Sequence, residues 1–280
     1  ADVARVASLS VADTADKVAA NLDALEAVQS RGLLGAIRLQ GESLNVSLDA
    51  ARMVGDAATA TQSVLGKISN LNYGVAVAGA SIDNLDALAA NERVASIALA
   101  ASSDEIETHL DTFAQLGRRL SRIRQTDSGA AISVTQTAFD RRAGVLAKIE
   151  GGYSVEITGA SVEQAIADAA NSRVASISVA DTGRNLSLHW RALRTMGSVL
   201  TAVARTDSAA ITVLASGYQL ARNDGLLAKF AADQHFEVMN ASVDQAQELA
   251  GDAAIDRIGL VEDGSVVAAR MSDVADLVSG

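Results

Sequence analysis

The chain contains no cysteine and no proline, and aromatic residues make up only 3% of its 280 positions. Without cysteine there can be no disulfide and no thiolate metal ligand, and the redox compartment is left open. Average usage would place roughly fourteen prolines in a chain of this length, so turns must be made by Gly, Asn, Asp and Ser. Trp190 is the sole tryptophan, which leaves little from which to build a stacking platform for sugars or single-stranded nucleic acid. A net charge of −11 does not suit a protein that neutralises phosphates, so no nucleic-acid partner is expected. No apolar run approaches the roughly twenty residues of a membrane helix, and the first residues lack the zones of a signal peptide.

Motifs that carry local chemistry are missing too. There is no His-Glu-x-x-His, no Gly-x-Ser-x-Gly and no Gly-x-x-x-x-Gly-Lys-Ser/Thr, so zinc peptidase, hydrolase-elbow and P-loop readings have no support. Neither a catalytic residue nor an organic cofactor is expected.

What the chain does have is repetition on an apolar content of 49%, ample for a packed core. Arg5-Val-Ala-Ser-Leu-Ser-Val recurs from Arg93 and from Arg173, at spacings of 88 and 80 residues. A second anchor, Gly79-Ala-Ser, returns as Gly159-Ala-Ser and Asn240-Ala-Ser, and Ala50-Ala-Arg-Met53 is echoed by Ala268-Ala-Arg-Met271. A fixed period of this kind decides the fold class before any single element does. It predicts an α/β repeat protein of about three tandem units, divided as residues 1–92, 93–172 and 173–252, with a partial fourth over 253–280. Residues 1–4 read as the end of a helix, which suggests a piece of a longer array.

Within a unit, Val94 to Ala100 alternates as a strand, and Ile106, Leu110, Phe113 and Leu116 form one helical stripe. A short strand from Ile123, a turn at Thr126–Gly129 and a strand at Ala131–Thr137 resemble a hairpin. Val145, Leu146 and Ile149 mark a helix ended by Gly151-Gly152, Tyr153, Val155 and Ile157 a strand, and Ser161 to Asn171 another helix. Ser161 with Gln164, and Ser242 with Gln245, have capping-box spacing. The unit is β-α-β-β-α-β-α. Its half-buried strands predict two layers, with helices on one sheet face, in a ferredoxin-like arrangement. The alternative is a continuous α/β solenoid with one sheet through all copies.

Recurring polar residues are the candidate sites. His109 and His189 stand 80 residues apart, but Asn21 takes the same place in the first copy, so a helix-surface role is expected; His235 reads as an edge residue. Asp127, Asp207 and Asp263, with Glu42, fall at equivalent turns between strands and are the candidate calcium ligands, because that cation takes six to eight oxygens. The cations at Arg118, Arg119, Arg122 and Arg124, and at Arg191, Arg194 and Arg205, are expected to pair with carboxylates.

Val174-Ala-Ser-Ile-Ser-Val-Ala-Asp-Thr182, Val18-Ala-Ala-Asn-Leu-Asp-Ala-Leu25 and Tyr153-Ser-Val-Glu-Ile-Thr-Gly159 resemble the Ala/Val/Asp/Thr-rich repeats of very large secreted or cell-surface proteins of proteobacteria, such as adhesins, surface layers and RTX-like proteins. Such proteins often carry calcium-binding nonapeptides and leave by a type I route, although no Gly-Gly-x-Gly-x-Asp nonapeptide is present here. The resemblance implies a non-enzymatic, self-associating segment of an extracellular fibre or surface layer, partnered by further copies. A binding module that takes a protein or glycan on the open sheet face, through Ser154, Glu156 and Thr158, is the second expectation. An enzyme with a pocket of residues found in one copy is the third.

Overall fold

The computed structural model describes residues 7–127 and 129–279. The expected helix end at residues 1–4, the start of the first anchor and Ser128 of the Thr126–Gly129 turn lie outside them. Among the described residues there are thirteen strands and fourteen α-helices in alternation, an α/β protein. The strands are β1 (Leu9–Thr14), β2 (Leu34–Gln40), β3 (Asn45–Asp49), β4 (Gly74–Ala80), β5 (Val94–Ala101), β6 (Leu120–Gln125), β7 (Ala131–Thr135), β8 (Ser154–Ala160), β9 (Val174–Asp181), β10 (Leu200–Arg205), β11 (Ile211–Leu214), β12 (Phe236–Ala241) and β13 (Ile255–Leu260).

Contacts divide the chain into two compact units. The first holds the described part of Ala1–Ala130 with Arg141–Tyr153, the second Ala131–Asp140 with the described part of Ser154–Gly280. In the first unit β1 pairs with β2, and β3, β4, β5 and β6 form a second sheet in that order. In the second, β7, β8, β9 and β10 form one sheet and β11, β12 and β13 another. Every pair of these strands is parallel.

Parallel pairing corrects the hairpin reading. β6 and β7 belong to different sheets, as do β2 and β3, and β10 and β11. β6 and β7 do not pair with one another, and the pairs that form are parallel, so the ferredoxin-like split unit is absent among the described residues. Of the solenoid alternative, the parallel pairing of strands is found, whereas the described strands fall into four sheets rather than one. Sequence alone could not separate these outcomes, because a two-strand signal around a polar turn is the same whether the strands pair or not.

Register explains the apolar alternation. Across the second sheet Val46, Val75 and Val94 lie side by side, and Leu48, Val77 and Ile97 form the next row. Ile132, Val155 and Val174, then Val134, Ile157 and Ile177, do the same in the third. All twelve are buried. The helices pack on this row, whereas Asn45, Ser47, Ala95, Glu156 and Thr158 on the opposite row are exposed. β-Branched residues packed between sheet and helix are what a parallel sheet demands, because its crossovers bury the face they cover. Each buried Val or Ile contributes about 1.5–3 kcal/mol relative to leaving it in water.

The second sequence anchor has a backbone cause. Pairing shifts between Val77 and Ala80, between Ile157 and Ala160, and between Val238 and Ala241. Within these bulges Gly79, Gly159 and Asn240 have φ of 65°, 68° and 58°. Left-handed backbone is open to Gly and, at a cost, to Asn, which is why the anchor reads Gly, Gly, Asn. Asn240 is the one non-glycine residue with positive φ among the described residues. The bulge ends the strand and leads to Ser81, Ser161 or Ser242 at the helix start.

Two opposite substitutions test this. Gly159→Ala is expected to lower stability by about 1–2 kcal/mol, and Asn240→Gly to raise it by less than about 1 kcal/mol, in urea unfolding with unchanged slopes.

Candidate functional site

A strand followed by a crossover helix leaves that helix's first N–H groups without partners. Side chains satisfy them here at one junction after another. Ser161 and Ser242 accept from Gln164 N and Gln245 N at 3.3 and 3.2 Å, while the glutamines accept from the two serine N–H groups, so both expected capping boxes form. Ser102 and Glu105 make a third.

A second set of bonds reaches these helix starts from farther along the chain. Asp127 accepts from Ser103 N at 2.9 Å and from the Ser103 hydroxyl. Asp207 accepts from Gly183 N at 2.8 Å. Asp181 accepts from Val162 N at 2.9 Å, and Glu262 from Val243 N at 3.2 Å. Ser103, Gly183, Val162 and Val243 are each the first residue of their helix, where a carboxylate is favoured by the helix dipole. The bond from the Ser103 hydroxyl is the main reason the Asp127 carboxyl sits below the usual carboxylate range.

This geometry places the three calcium candidates in different roles and does not bring them together. Asp127 and Asp207 close helix N-termini. Asp263 is not their counterpart: it is the N-cap of the helix Gly264–Ala269, accepting from Ser265 N at 2.9 Å, a bond that lowers its carboxyl below the usual range. Its equivalents are Ser102 and Thr182, while Glu262 corresponds to Asp181. The Asp263 turn follows β13 and leads into a helix, whereas the Asp127 and Asp207 turns each lie between two strands. Glu42 is exposed in the loop between β2 and β3. Among the described residues, no three His, Cys, Asp or Glu side chains gather as metal ligands would.

Gly183 takes the place of Ser103 for a steric reason. A Cβ on Gly183 would lie 2.0 Å from the Ala209 carbonyl oxygen, whereas Ser103 uses its hydroxyl to reach the aspartate. The two junctions reach the same satisfaction of the helix start by different packing.

The histidines make local contacts. His189 Nδ1 lies 3.1 Å from Asn185 O, and Asn21 Nδ2 donates to Lys17 O at 2.9 Å, so both engage the carbonyl four residues back where their helices break. His109 stands within an unbroken helix, its ring 6.2 Å from Phe113. His235 Nδ1 is 3.1 Å from Asp256 on the protein surface.

Only part of the expected cation pairing is found. Arg122 meets Glu150 at 3.2 Å and Arg194 meets Asp224 at 2.7 Å. Among the described residues Arg119 forms no ion pair with a carboxylate. Its guanidinium donates to the carbonyls of Leu88, Ala89, Asn91 and Val94, at 2.6 to 3.0 Å, and so closes the C-terminus of the helix Ile82–Ala90. Lys148 does similar work on Gly117 O and Leu120 O. Cations at helix C-termini complement the carboxylates at the N-termini.

One titratable pair was not legible in the repeat. Tyr218, fully buried, donates to Asp252 at 2.9 Å. Burial first, then the Asp252 carboxylate, push its phenol well above the ordinary value. The residue 79 positions earlier is Phe139, so no recurring signal marked it.

Among the described residues, no helix is long and apolar enough to cross a membrane. No family model and no curated protein matches the chain. Among solved structures, the crystal structure of apo-MsnO8 aligns over 98% of this chain and 98% of its own at 13% identity and a TM-score of 0.16, too distant in fold to carry an argument.

Two outcomes follow. Millimolar calcium is expected to leave the melting temperature unchanged and to give no binding heat; a rise abolished by Asp127→Asn with Asp207→Asn would restore the metal reading. Because the folded Tyr218 phenol titrates above the unfolded one, its contribution is complete below pH ~10 and is lost as pH rises from there toward the folded value. Tyr218→Phe is expected to lessen this alkaline loss of stability in pH-dependent urea unfolding, at a cost of about 1 kcal/mol near neutrality.

Proposed function

We propose that the chain is a non-enzymatic structural module of an extracellular bacterial surface protein, an adhesin, surface layer or fibre, built from tandem α/β units of about eighty residues whose copies provide length and self-associate. The observation that supports it is the repeated use of polar groups on the fold itself: Asp127 on Ser103 N and Asp207 on Gly183 N occur 80 residues apart and do one job. A residue that recurs for a backbone bond is not free for chemistry on a substrate. On this reading each four-stranded sheet takes two strands from either side of an expected unit boundary, so neighbouring copies interlock. β1 and β13 each pair on one side only among the described residues, and such edges are templates for another chain. An acidic, cysteine-free composition suits a crowded surface location.

A binding module is the second reading. Ser133, Glu156 and Ser176 lie in one row across β7, β8 and β9, and Thr135 and Thr158 pair in the next, giving an outward face of hydroxyls around one carboxylate. A glycan or protein ligand lost on changing Ser154, Glu156 and Thr158 together would favour it.

The structural reading expects sedimentation coefficients that rise with protein concentration, ordered assemblies by electron microscopy, and removal of the protein from intact source cells by external protease. A chain that stays monomeric at every concentration and resists protease until the cells are lysed overturns it.

A further inference from the structure

We propose that the second unit carries a binding groove for an apolar carboxylate, a ligand with an alkyl body and an anionic head. A groove of about 590 Å³ opens between the helices Trp190–Thr195 and Ala215–Asn223, against β11. Its size falls in the range of small-molecule sites, roughly 300–1,000 Å³. Trp190 and Met239 line it. Trp190 is held in place by its Nε1–H bond to Gly217 O at 3.2 Å and by Phe230 and Phe236, with ring centroids 5.6 and 5.7 Å away.

The rim is what a solvated repeat would avoid. Leu188, Leu214 and Leu220 are 75%, 55% and 50% exposed, three large apolar side chains around one opening. A contiguous exposed apolar patch on a soluble chain marks a binding surface more often than scattered single leucines do. The corresponding residues one period earlier are polar: Thr108 for Leu188, Thr135 for Leu214 and Arg141 for Leu220. The apolar rim is therefore not part of what the repeat needs to fold.

Charge is changed at the same place. Asp111 stands one period before Arg191, and Asp23 one before that; they pair with Arg142 and Arg52. In the groove the acid has become Arg191, which is exposed and makes no ion pair or hydrogen bond among the described residues. Its neighbour Arg194 is held by Asp224 at 2.7 Å. Two arginines and no acidic side chain line this groove in a chain of net charge −11. An unpaired guanidinium beside an apolar wall selects an anion that also carries hydrocarbon. An extended peptide is the poorer fit, because on β11 the Thr212 N–H is already taken by the Ser187 hydroxyl at 2.7 Å.

Trp190 makes the test direct, since all tryptophan emission comes from the groove. Dodecanoate, titrated into the whole chain below its micelle concentration, is expected to give a saturable change in that emission. Arg191→Asp is expected to weaken binding by about tenfold or more, and dodecylammonium to bind no better than this variant binds dodecanoate. Leu188→Thr with Leu214→Thr, surface changes that copy the earlier period, are expected to abolish the response while the circular dichroism and melting temperature hold. Absence of a saturable change, equal binding of dodecylammonium, or a response only to a Leu- and Glu-rich helical peptide would each overturn the proposal.

Discussion

The structure depends on satisfying the N–H groups where each parallel strand gives way to a crossover helix. Parallel neighbours in a sheet cannot be joined by tight turns, so each strand that leads to such a neighbour must end in a connection that climbs over the sheet. Each such junction exposes unpaired donors beside a buried apolar face. Leaving one buried donor without a partner costs about 1–3 kcal/mol, and a chain with ten such junctions among its described residues could not fold with that cost at each. Ser102, Ser161, Thr182, Ser242 and Asp263 answer it locally, and Asp127, Asp181, Asp207 and Glu262 answer it from the next turn of the chain.

Those longer bonds also tie connections to one another. A carboxylate 19 or 24 residues beyond the helix start fixes where the following loop must lie. Arg119 and Lys148 fix the helix C-termini in the same way. Much of the recurring charge is thus engaged by the backbone, and the conspicuous acids and histidines gather into no metal-ligand cluster among the described residues. The departures from the repeat gather elsewhere: Leu188, Arg191, Leu214 and Leu220 line one groove, and the three leucines are largely exposed.

Much of the fold could be read in the residues. Strand alternation at Val155 and Ile157, the helical stripe through Ile106, Leu110 and Phe113, and both glutamine capping boxes stand where their spacing put them. The bulge anchor was visible as Gly, Gly, Asn, but its meaning was not, because positive φ is a backbone property that spelling only hints at. Alignment by spelling also placed Asp263 beside Asp127 and Asp207, whereas its backbone makes it a cap. The carbonyl partners of Arg119 carry no sequence signature, so the sequence points only to an ion pair.

By itself the sequence determined the alternation of strands and helices, the apolar rows and the capping residues, since each follows from side-chain periodicity and local hydrogen bonding within a few residues. Tertiary structure alone decided that the strands on either side of the Asp127 turn belong to different sheets, that Tyr218 meets Asp252, and that Leu188, Leu214 and Leu220 surround one groove. These depend on which distant segments pair and how crossovers pack, and no residue within a short window encodes that choice.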